Sequence, residues 1–315
     1  MGQDGLSGIL VTGANGFVGS ALCRTLRAQG ADVLGAVRGH AGAGAIAVGD
    51  LDGNTDWRAA LTGRTVVVHL AARVHVMDDR AGDPLAAYRT VNVDATVNLA
   101  RQAHAAGVRR FVFVSSIKVN GEATYGRPFR ADDAAAPVDP YGQTKLEAER
   151  ALQALAAQTG MELVIVRPPL VYGPGVKANF ANLLNLVDRG VPLPLGAVRN
   201  ARSMVALDNL VDLLIVCTRH PAAAGQIFLA SDGIDLSTAE LVRMMGRAMN
   251  KRVLLVPVPV ALMRLGAALL GKRGLVDRLA GSLQVDSSPA RDLLAWTPVL
   301  TPQQGVDLTV AAVKH

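Results

Sequence analysis

Short apolar runs alternate with helix-length amphipathic stretches along the first half of the chain. Ile9 to Thr12, Asp32 to Val37 and Thr65 to Leu70 are compact aliphatic runs, and Phe17 to Gln29 sets Val18, Leu22 and Leu26 on one helical face before Gly30. The rhythm continues with strand-like Arg110 to Ser115, Leu163 to Arg167 and Gln226 to Ala230, and with helical patterns over Val91 to Ala106 and Tyr141 to Gln158. Such alternation predicts βαβ units and an α/β fold built on a doubly wound parallel sheet. After Arg167 the pattern changes: Pro168, Pro169, Pro174, Pro192 and Pro194 punctuate the chain, and helices dominate from Gly233 onward. A smaller C-terminal lobe is therefore expected, with residues 7–172 and 201–232 forming the sheet body and residues 173–200 and 233–315 the lobe. Ala41 to Ala45 reads as a loop.

Composition sets bounds on this picture. Half of the 315 residues are hydrophobic and 18% are charged, enough to bury a large core and to exclude disorder as the main state. The net charge of +6 is not gathered into a basic run, so no nucleic-acid partner is expected; a polyanionic small molecule fits equally well. Val253 to Leu270 is the most lipid-like stretch, but Pro257, Pro259 and Arg264 interrupt it, and no integral membrane segment is expected. The opening MGQDGLSG has no charged leader, and Leu6 stands where a myristoylation signal needs Ser or Thr, so the cytoplasm is the expected compartment. Cys23 and Cys217 make neither a disulfide framework nor a metal cluster, and no metal site is expected.

The first run leads directly into Thr12-Gly13-Ala14-Asn15-Gly16-Phe17-Val18-Gly19 and then a helix. Strand, glycine turn and helix bring bare backbone N–H groups and a helix N-terminus against a pyrophosphate. The TGxxGxxG spacing near the N-terminus resembles the extended branch of the short-chain dehydrogenase/reductase superfamily, the NAD-dependent epimerase/dehydratase family. That resemblance implies a Rossmann-type fold in which Gly13, Asn15, Gly16, Phe17, Val18 and Gly19 hold a dinucleotide. It also implies that Asp50 and Leu51 contact the adenine and that Leu70, Ala71 and Ala72 wall the nicotinamide ribose. Val37 occupies the position where related epimerases carry an acid for the ribose 2′-hydroxyl, and Arg38 follows, a cation suited to a 2′-phosphate. NADP(H) is therefore the favoured cofactor, with NAD(H) as the alternative. His69 reads as a packed strand residue rather than a catalyst.

Asp139-Pro140 reads as an N-cap followed by proline at the first helical position, and the helix it opens carries Tyr141 and Lys145 on one face. Ser116 lies at the end of the Phe111 to Ser115 run. A strand-end serine with YxxxK resembles the superfamily's proton-transfer triad. A free tyrosine, with a pKa of about 10, is a poor base near neutrality, and an adjacent cation favours the phenolate. The resemblance implies that Lys145 supplies that charge and bonds the nicotinamide ribose, while Ser116 orients the substrate oxygen and Tyr141 exchanges a proton with it. Ser116 is chosen over Ser115 by counting back from Val119, which matches the family's VYG; Asn120 replaces that tyrosine. Asn92 matches the family's asparagine-bearing helix, where supporting the backbone is as good a role as catalysis.

Arg167 to Gly175 resembles the family's RPxxVYGPG turn, which puts Pro168 beside the nicotinamide. Asn179, Leu193 and Arg202 match positions for the diphosphate, the uridine edge and a diphosphate-clamping arginine, and Ser287 to Pro298 resembles the family's closing segment. A UDP-sugar is the implied substrate, and a homodimer through a helix pair the implied assembly. The acid pair that a 4,6-dehydratase carries after its catalytic serine or threonine is replaced by Ile117 and Lys118. The segment Ser115 to Glu122 looks like bacterial 4-reductases that make 2-acetamido-2,6-dideoxyhexoses for O-antigen from UDP-4-keto-6-deoxy-N-acetylglucosamine, with Lys118 near the ketone. Reduction is the expected reaction. The alternatives are a UDP-hexose 4-epimerase holding NAD tightly and, because regulators share the fold, a non-catalytic NAD(P) sensor.

Overall fold

The computed structural model describes residues 8–74, 83–269, 271 and 273–313. Residues 1–7, 75–82, 270, 272, 314 and 315 lie outside it, so the reading of the N-terminus and the boundary at residue 7 fall outside the described residues.

Seven strands form one wholly parallel sheet: β1 (Ile9–Thr12), β2 (Val33–Val37), β3 (Ala45–Ala47), β4 (Val66–His69), β5 (Arg110–Val114), β6 (Glu162–Arg167) and β9 (Ile227–Leu229), in the order β3-β2-β1-β4-β5-β6-β9. β1 lies between β2, with Ile9 opposite Val33, and β4, with Ile9 opposite Val66. Strand order reverses at this point, and parallel sheets of this kind bind ligands in the crevice beyond the strand C-termini there. Both faces are covered, which is why β1, β4 and β5 are buried end to end instead of alternating. On one face Val11, Val68, Val112 and Val166 pack with Leu22, Leu26, Leu210 and Leu214. On the other, Leu10, Val67, Phe111, Phe113 and Ile165 pack with Trp57, Leu99, Ala103 and Leu152.

β7 (Leu170–Tyr172) and β8 (Met204–Ala206) form a separate parallel pair. They adjoin a third core in which Phe180, Leu184, Leu195, Val242 and Met245 meet Val306 and Val310 of the Pro302–Val313 helix. We propose this third core as the heart of the substrate lobe. One segment departs from the expected division. Ala290, Leu294 and Trp296 pack into the first face of the main sheet, and Trp296 Nε1 donates to Asp212 Oδ2 at 2.8 Å. Residues 288–296 thus return to the sheet body, because an amphipathic helix ending in tryptophan finds its apolar partner there. The Ala41 to Ala45 loop also runs one residue into β3, a three-residue edge strand.

Candidate active site

Thr12 ends β1 and its hydroxyl ties the crevice together. Thr12 Oγ1 lies 2.7 Å from His69 Nδ1 and accepts from the backbone N–H groups of Leu70 and Ala71 at 3.1 and 3.2 Å. Nothing in the spacing marked it, although it opens the motif. His69 is buried in β4, stacked on Phe113 and bonded through Nε2 to Thr96 Oγ1. Burial, and then the charge of Lys145, push its pKa down to about 3, so it is a neutral packing residue, as expected.

The glycine turn fits a dinucleotide. Gly13 has φ +64°, and a Cβ there would lie 2.9 Å from the Ala71 backbone nitrogen. A Cβ on Gly19 would come within 2.1 Å of the Gly13 carbonyl oxygen, so only glycine lets the helix Phe17–Ala28 approach the turn this closely. Gly16, the N-cap, supplies no side-chain cap, and the first turn has no acidic residue, which leaves this end suited to an anion. Asn15 and Gly16 are exposed, Phe17 and Val18 partly buried and Gly19 buried. Leu70, Ala71 and Ala72 follow β4 at the opposite wall, partly exposed. Leu51 packs against the second core face, whereas the Asp50 side chain is almost fully exposed. Arg38 Nε lies 3.8 Å from Asp50 Oδ1.

The catalytic candidates converge from two elements. Asp139 caps the helix Pro140–Thr159, its Oδ1 accepting from Gly142 N at 2.7 Å, with proline at the first position as expected. Ser116, partly exposed, caps the 3₁₀ turn Ile117–Val119 after β5. A Cβ on Gly142 would sit 2.8 Å from the Lys118 carbonyl oxygen, so glycine next to Tyr141 allows the helix to press against that turn. Burial raises the Tyr141 pKa to about 12, the Asp139 and Tyr88 charges add to it, and a hydrogen bond to Ser116 works the other way. Ser115, by contrast, is buried and its Oγ has no protein partner. Lys145 is buried, donates from Nζ to the Val114 carbonyl at 2.9 Å and sits over the Phe113 ring; burial lowers its pKa to about 7, although Glu149 opposes the shift.

Supporting residues lock this arrangement. Asn92 lies in a five-residue π-helical turn, Thr90–Asp94. From there it accepts from Arg73 N at 2.8 Å and donates to Arg73 O and Thr144 Oγ1, each at 3.1 Å. Its role here is to hold the backbone and the Tyr141 helix. Arg167 forms a buried pair with both oxygens of Glu149 and donates to Asn120 Oδ1 at 3.0 Å. Asn120, where the family has tyrosine, therefore faces inward as a structural partner. Pro168 is buried and its carbonyl accepts from Ile117 N at 3.0 Å, beside the Ser116 turn.

Lys118 Nζ contacts Asp139 and bonds Glu122 Oε1 at 2.9 Å. Burial works against its charge, yet those two carboxylates hold its pKa above the ordinary value. Arg202 Nη1 donates to the carbonyls of Arg278 and Gly281 at 2.9 and 3.0 Å, which fixes its guanidinium; burial lowers its pKa while Glu122 opposes. Asn179 is exposed in the first turn of the helix Ala178–Asp188. Leu193 is buried in the third core and exchanges backbone bonds with Leu254 and Val256.

A Rossmann-type dinucleotide crevice beside a Ser, Tyr and Lys constellation defines a class, the short-chain dehydrogenase/reductase proteins. Residues 9–230 match the NAD dependent epimerase/dehydratase family, and the chain belongs to it. It is 50% identical over 310 residues to a UDP-glucose 4-epimerase of Vibrio cholerae, covering 96% of this chain and 94% of that protein. It is 31% identical to an Escherichia coli O157:H7 protein named N-acetyl-alpha-D-glucosaminyl-diphospho-ditrans,octacis-undecaprenol 4-epimerase, over 82% of this chain and 77% of that one. Among solved structures, UDP-glucose 4-epimerase with UDP-glucose from Thermotoga maritima superposes with a TM-score of 0.77 at 21% identity, covering 98% of each chain. UDP-glucuronic acid 4-epimerase from Bacillus cereus in complex with NAD reaches 0.78 at 21% identity, covering 97% of this chain and 98% of that one.

Proposed function

We propose that the chain is a UDP-sugar 4-epimerase that uses NAD. The observation that carries this reading is the 50% identity to the Vibrio cholerae UDP-glucose 4-epimerase along almost the whole of both chains, with Ser116, Tyr141 and Lys145 all present. The expected NADP(H) preference rested on Val37 and Arg38, and the expected reduction on that pair and on the likeness of the Ser115 to Glu122 segment to 4-reductases. Arg38 is exposed and 3.8 Å from the likewise exposed Asp50 carboxylate, so it offers no built site for a 2′-phosphate, and the family match and the NAD complex of a structural neighbour support NAD.

Gly13, Gly16 and Gly19 with Leu70, Ala71 and Ala72 would hold NAD in the crevice, where it would supply a reversible hydride acceptor for C4 of the sugar. The chain's own residues move the proton. Tyr141 takes it from the C4 hydroxyl and gives it back, Ser116 holds the reacting oxygen through its hydroxyl, and Lys145 places its charge beneath the site to favour the phenolate. Lys118, held by Asp139 and Glu122, stands at the rim beside Tyr141. Arg202, with its guanidinium fixed by two carbonyls, is the clamp for the UDP diphosphate, with Asn179 a second contact and Leu193 shaping the uridine edge. We place the protein in the cytoplasm, where its two buried, unpaired cysteines remain thiols, and retain the homodimer as a proposal.

The test is the purified protein with no added cofactor, given UDP-glucose and then UDP-N-acetylglucosamine, with the 4-epimers separated by chromatography. Interconversion, with NAD released on denaturation, is the expected result. Oxidation of added NADPH by UDP-4-keto-6-deoxy-N-acetylglucosamine without epimerisation would replace this reading with the reductase. Cofactor binding without turnover of any of these sugars would favour the sensor.

A further inference from the structure

The stretch from Leu254 to Leu269 shows an apolar face on both sides. Inward, Val253, Leu255, Val260 and Met263 pack against the third core. Outward, Leu254 is 60% exposed, Leu262 58%, Leu265 62% and Leu269 83%. Residues 262, 265 and 269 fall on one stripe of the helix Val260–Leu269, and Leu254 alternates outward from the extended segment before it. None of this helix's described side chains is buried, and no helix among the described residues is long and apolar enough to cross a membrane.

The charge around this face is one-sided. Residues 251–280 hold six Lys and Arg and a single acid, Asp277, so this tenth of the chain carries nearly all of the net charge of +6. Arg252 is exposed at the start of the stretch. Arg264, at the border of the apolar stripe, bonds Asp277 Oδ1 at 2.9 Å and holds the next helix, Arg273–Ala280, alongside; Lys251 pairs with Asp188 Oδ1 at 2.7 Å. Leucines beside the exposed Arg252, in a stretch whose six cations outnumber its one acid, match the interface of a bilayer with anionic headgroups, where aliphatic side chains enter the acyl boundary and cations meet phosphates. Lys251 and Arg264 would meet them only in exchange for Asp188 and Asp277. A second copy of this chain would set like charges against each other across the same face.

We propose that the Val260–Leu269 helix and the Leu254 segment dock this protein reversibly on an anionic phospholipid bilayer, as a peripheral contact. The Arg273–Ala280 helix, which packs on the docking helix, also gives its Arg278 carbonyl to Arg202. Bilayer contact and the diphosphate-clamp candidate are thus one helix apart, which suits an enzyme whose sugar product is consumed by a glycosyl transfer at the membrane surface. The docking does not depend on the epimerase reading.

The experiment is co-sedimentation of the full chain with vesicles of phosphatidylglycerol and phosphatidylethanolamine, against vesicles of phosphatidylcholine alone, at low and high salt. The expected result is binding to the anionic vesicles that weakens with salt and falls about tenfold or more in Leu262→Glu/Leu265→Glu. That variant should keep the circular dichroism spectrum and the UDP-sugar turnover of the parent; should it fail to fold, Leu265→Ser alone, expected to show a smaller drop, is read in its place. No vesicle binding, equal binding to neutral vesicles, or equal binding by parent and variant would overturn the proposal. So would gel filtration showing a dimer that the double variant dissolves while vesicles capture neither form.

Discussion

At the residue scale, reactivity rests on the opposed pKa values of two side chains four residues apart. Tyr141 is pushed up to about 12 and Lys145 down to about 7, each chiefly by burial, so without substrate the phenol keeps its proton, and the proposed transfer needs Lys145 to hold its charge so that the phenolate can form. Tyr141→Phe removes the proton carrier while keeping the ring, and turnover should fall by about 10²- to 10⁴-fold with the protein still folded and still holding its dinucleotide. Steady-state kinetics together with cofactor content after gel filtration check this; retention of full turnover would remove Tyr141 from the mechanism. Gly19 offers a complementary test at the other end of the cofactor. Its added Cβ would meet the Gly13 carbonyl at 2.1 Å, a backbone atom that cannot step aside alone, so Gly19→Ala should open the turn and cost dinucleotide binding before it costs the fold. Equilibrium dialysis with NAD beside a denaturant titration separates the two effects. Both residues stand out by spacing because the roles proposed for them are tied to local motifs. Thr12, Asn120 and Glu149 were not assigned, since what they do depends on partners 57, 47 and 18 positions away in the chain.

At the element scale, the longer strands of the parallel sheet and the helix that carries Tyr141 are legible because long apolar periodicity and capping residues act locally, whereas the order of the strands is a property of the folded sheet. Asp139 and Pro140 start their helix where the sequence places it. β3 and the β7/β8 pair were missed because each strand is three residues long and is fixed by its neighbours rather than by its own pattern. The π-helical turn at Thr90–Asp94 was hidden for the same reason: a helical pattern reads the same with one extra residue in a turn, yet that turn delivers Asn92 to Arg73 and Thr144. β4 makes a prediction of its own. His69 has its pKa lowered to about 3 in the folded sheet, mainly by burial, against an ordinary imidazole value of 6.5. Between those values the unfolded chain binds a proton that the native state refuses, so this residue's contribution to stability is present above the unfolded value and is lost as pH falls towards 3. Each pH unit in that window is worth about 1.4 kcal/mol. Urea unfolding at pH 7 and pH 5 should show the parent losing about 2 kcal/mol more than His69→Asn, whatever the variant's absolute stability. Equal pH dependence in the two proteins would mean that His69 is protonated in the native sheet.

At the scale of the whole molecule, the chain leaves the sheet body after β6 and returns to it twice, and these returns decide how it unfolds. β9 completes the sheet, and the segment through Trp296 packs onto the same face as the helix Phe17–Ala28. Between them, Asp232 accepts from Tyr172 Oη at 2.7 Å, from Ala206 N at 2.8 Å and from Asn209 Nδ2 at 2.7 Å, joining β7, β8 and the start of the helix Leu207–Arg219 at one buried carboxylate. Burial raises the Asp232 pKa, and the three donors pull it back. A boundary drawn through such a chain by proline content alone cannot register these ties, because they form only once distant segments meet. Their consequence is that the two faces of the main sheet should unfold together. Trp57 lies in the core on one face and Trp296 in the core on the other, and they are the chain's two tryptophans, one reporter for each face. In Trp57→Phe and Trp296→Phe variants the remaining tryptophan's fluorescence should change at the same urea concentration as far-UV circular dichroism within each protein. Asp232→Leu leaves Ala206 N without its acceptor and Tyr172 and Asn209 with only the Pro302 and Leu300 carbonyls, and should lower the stability seen by both reporters by about 1 to 3 kcal/mol. A Trp296 transition that comes first, with Trp57 still native, would instead make the returning C-terminal segment a separate unit, fastened to the sheet too weakly to share its cooperativity.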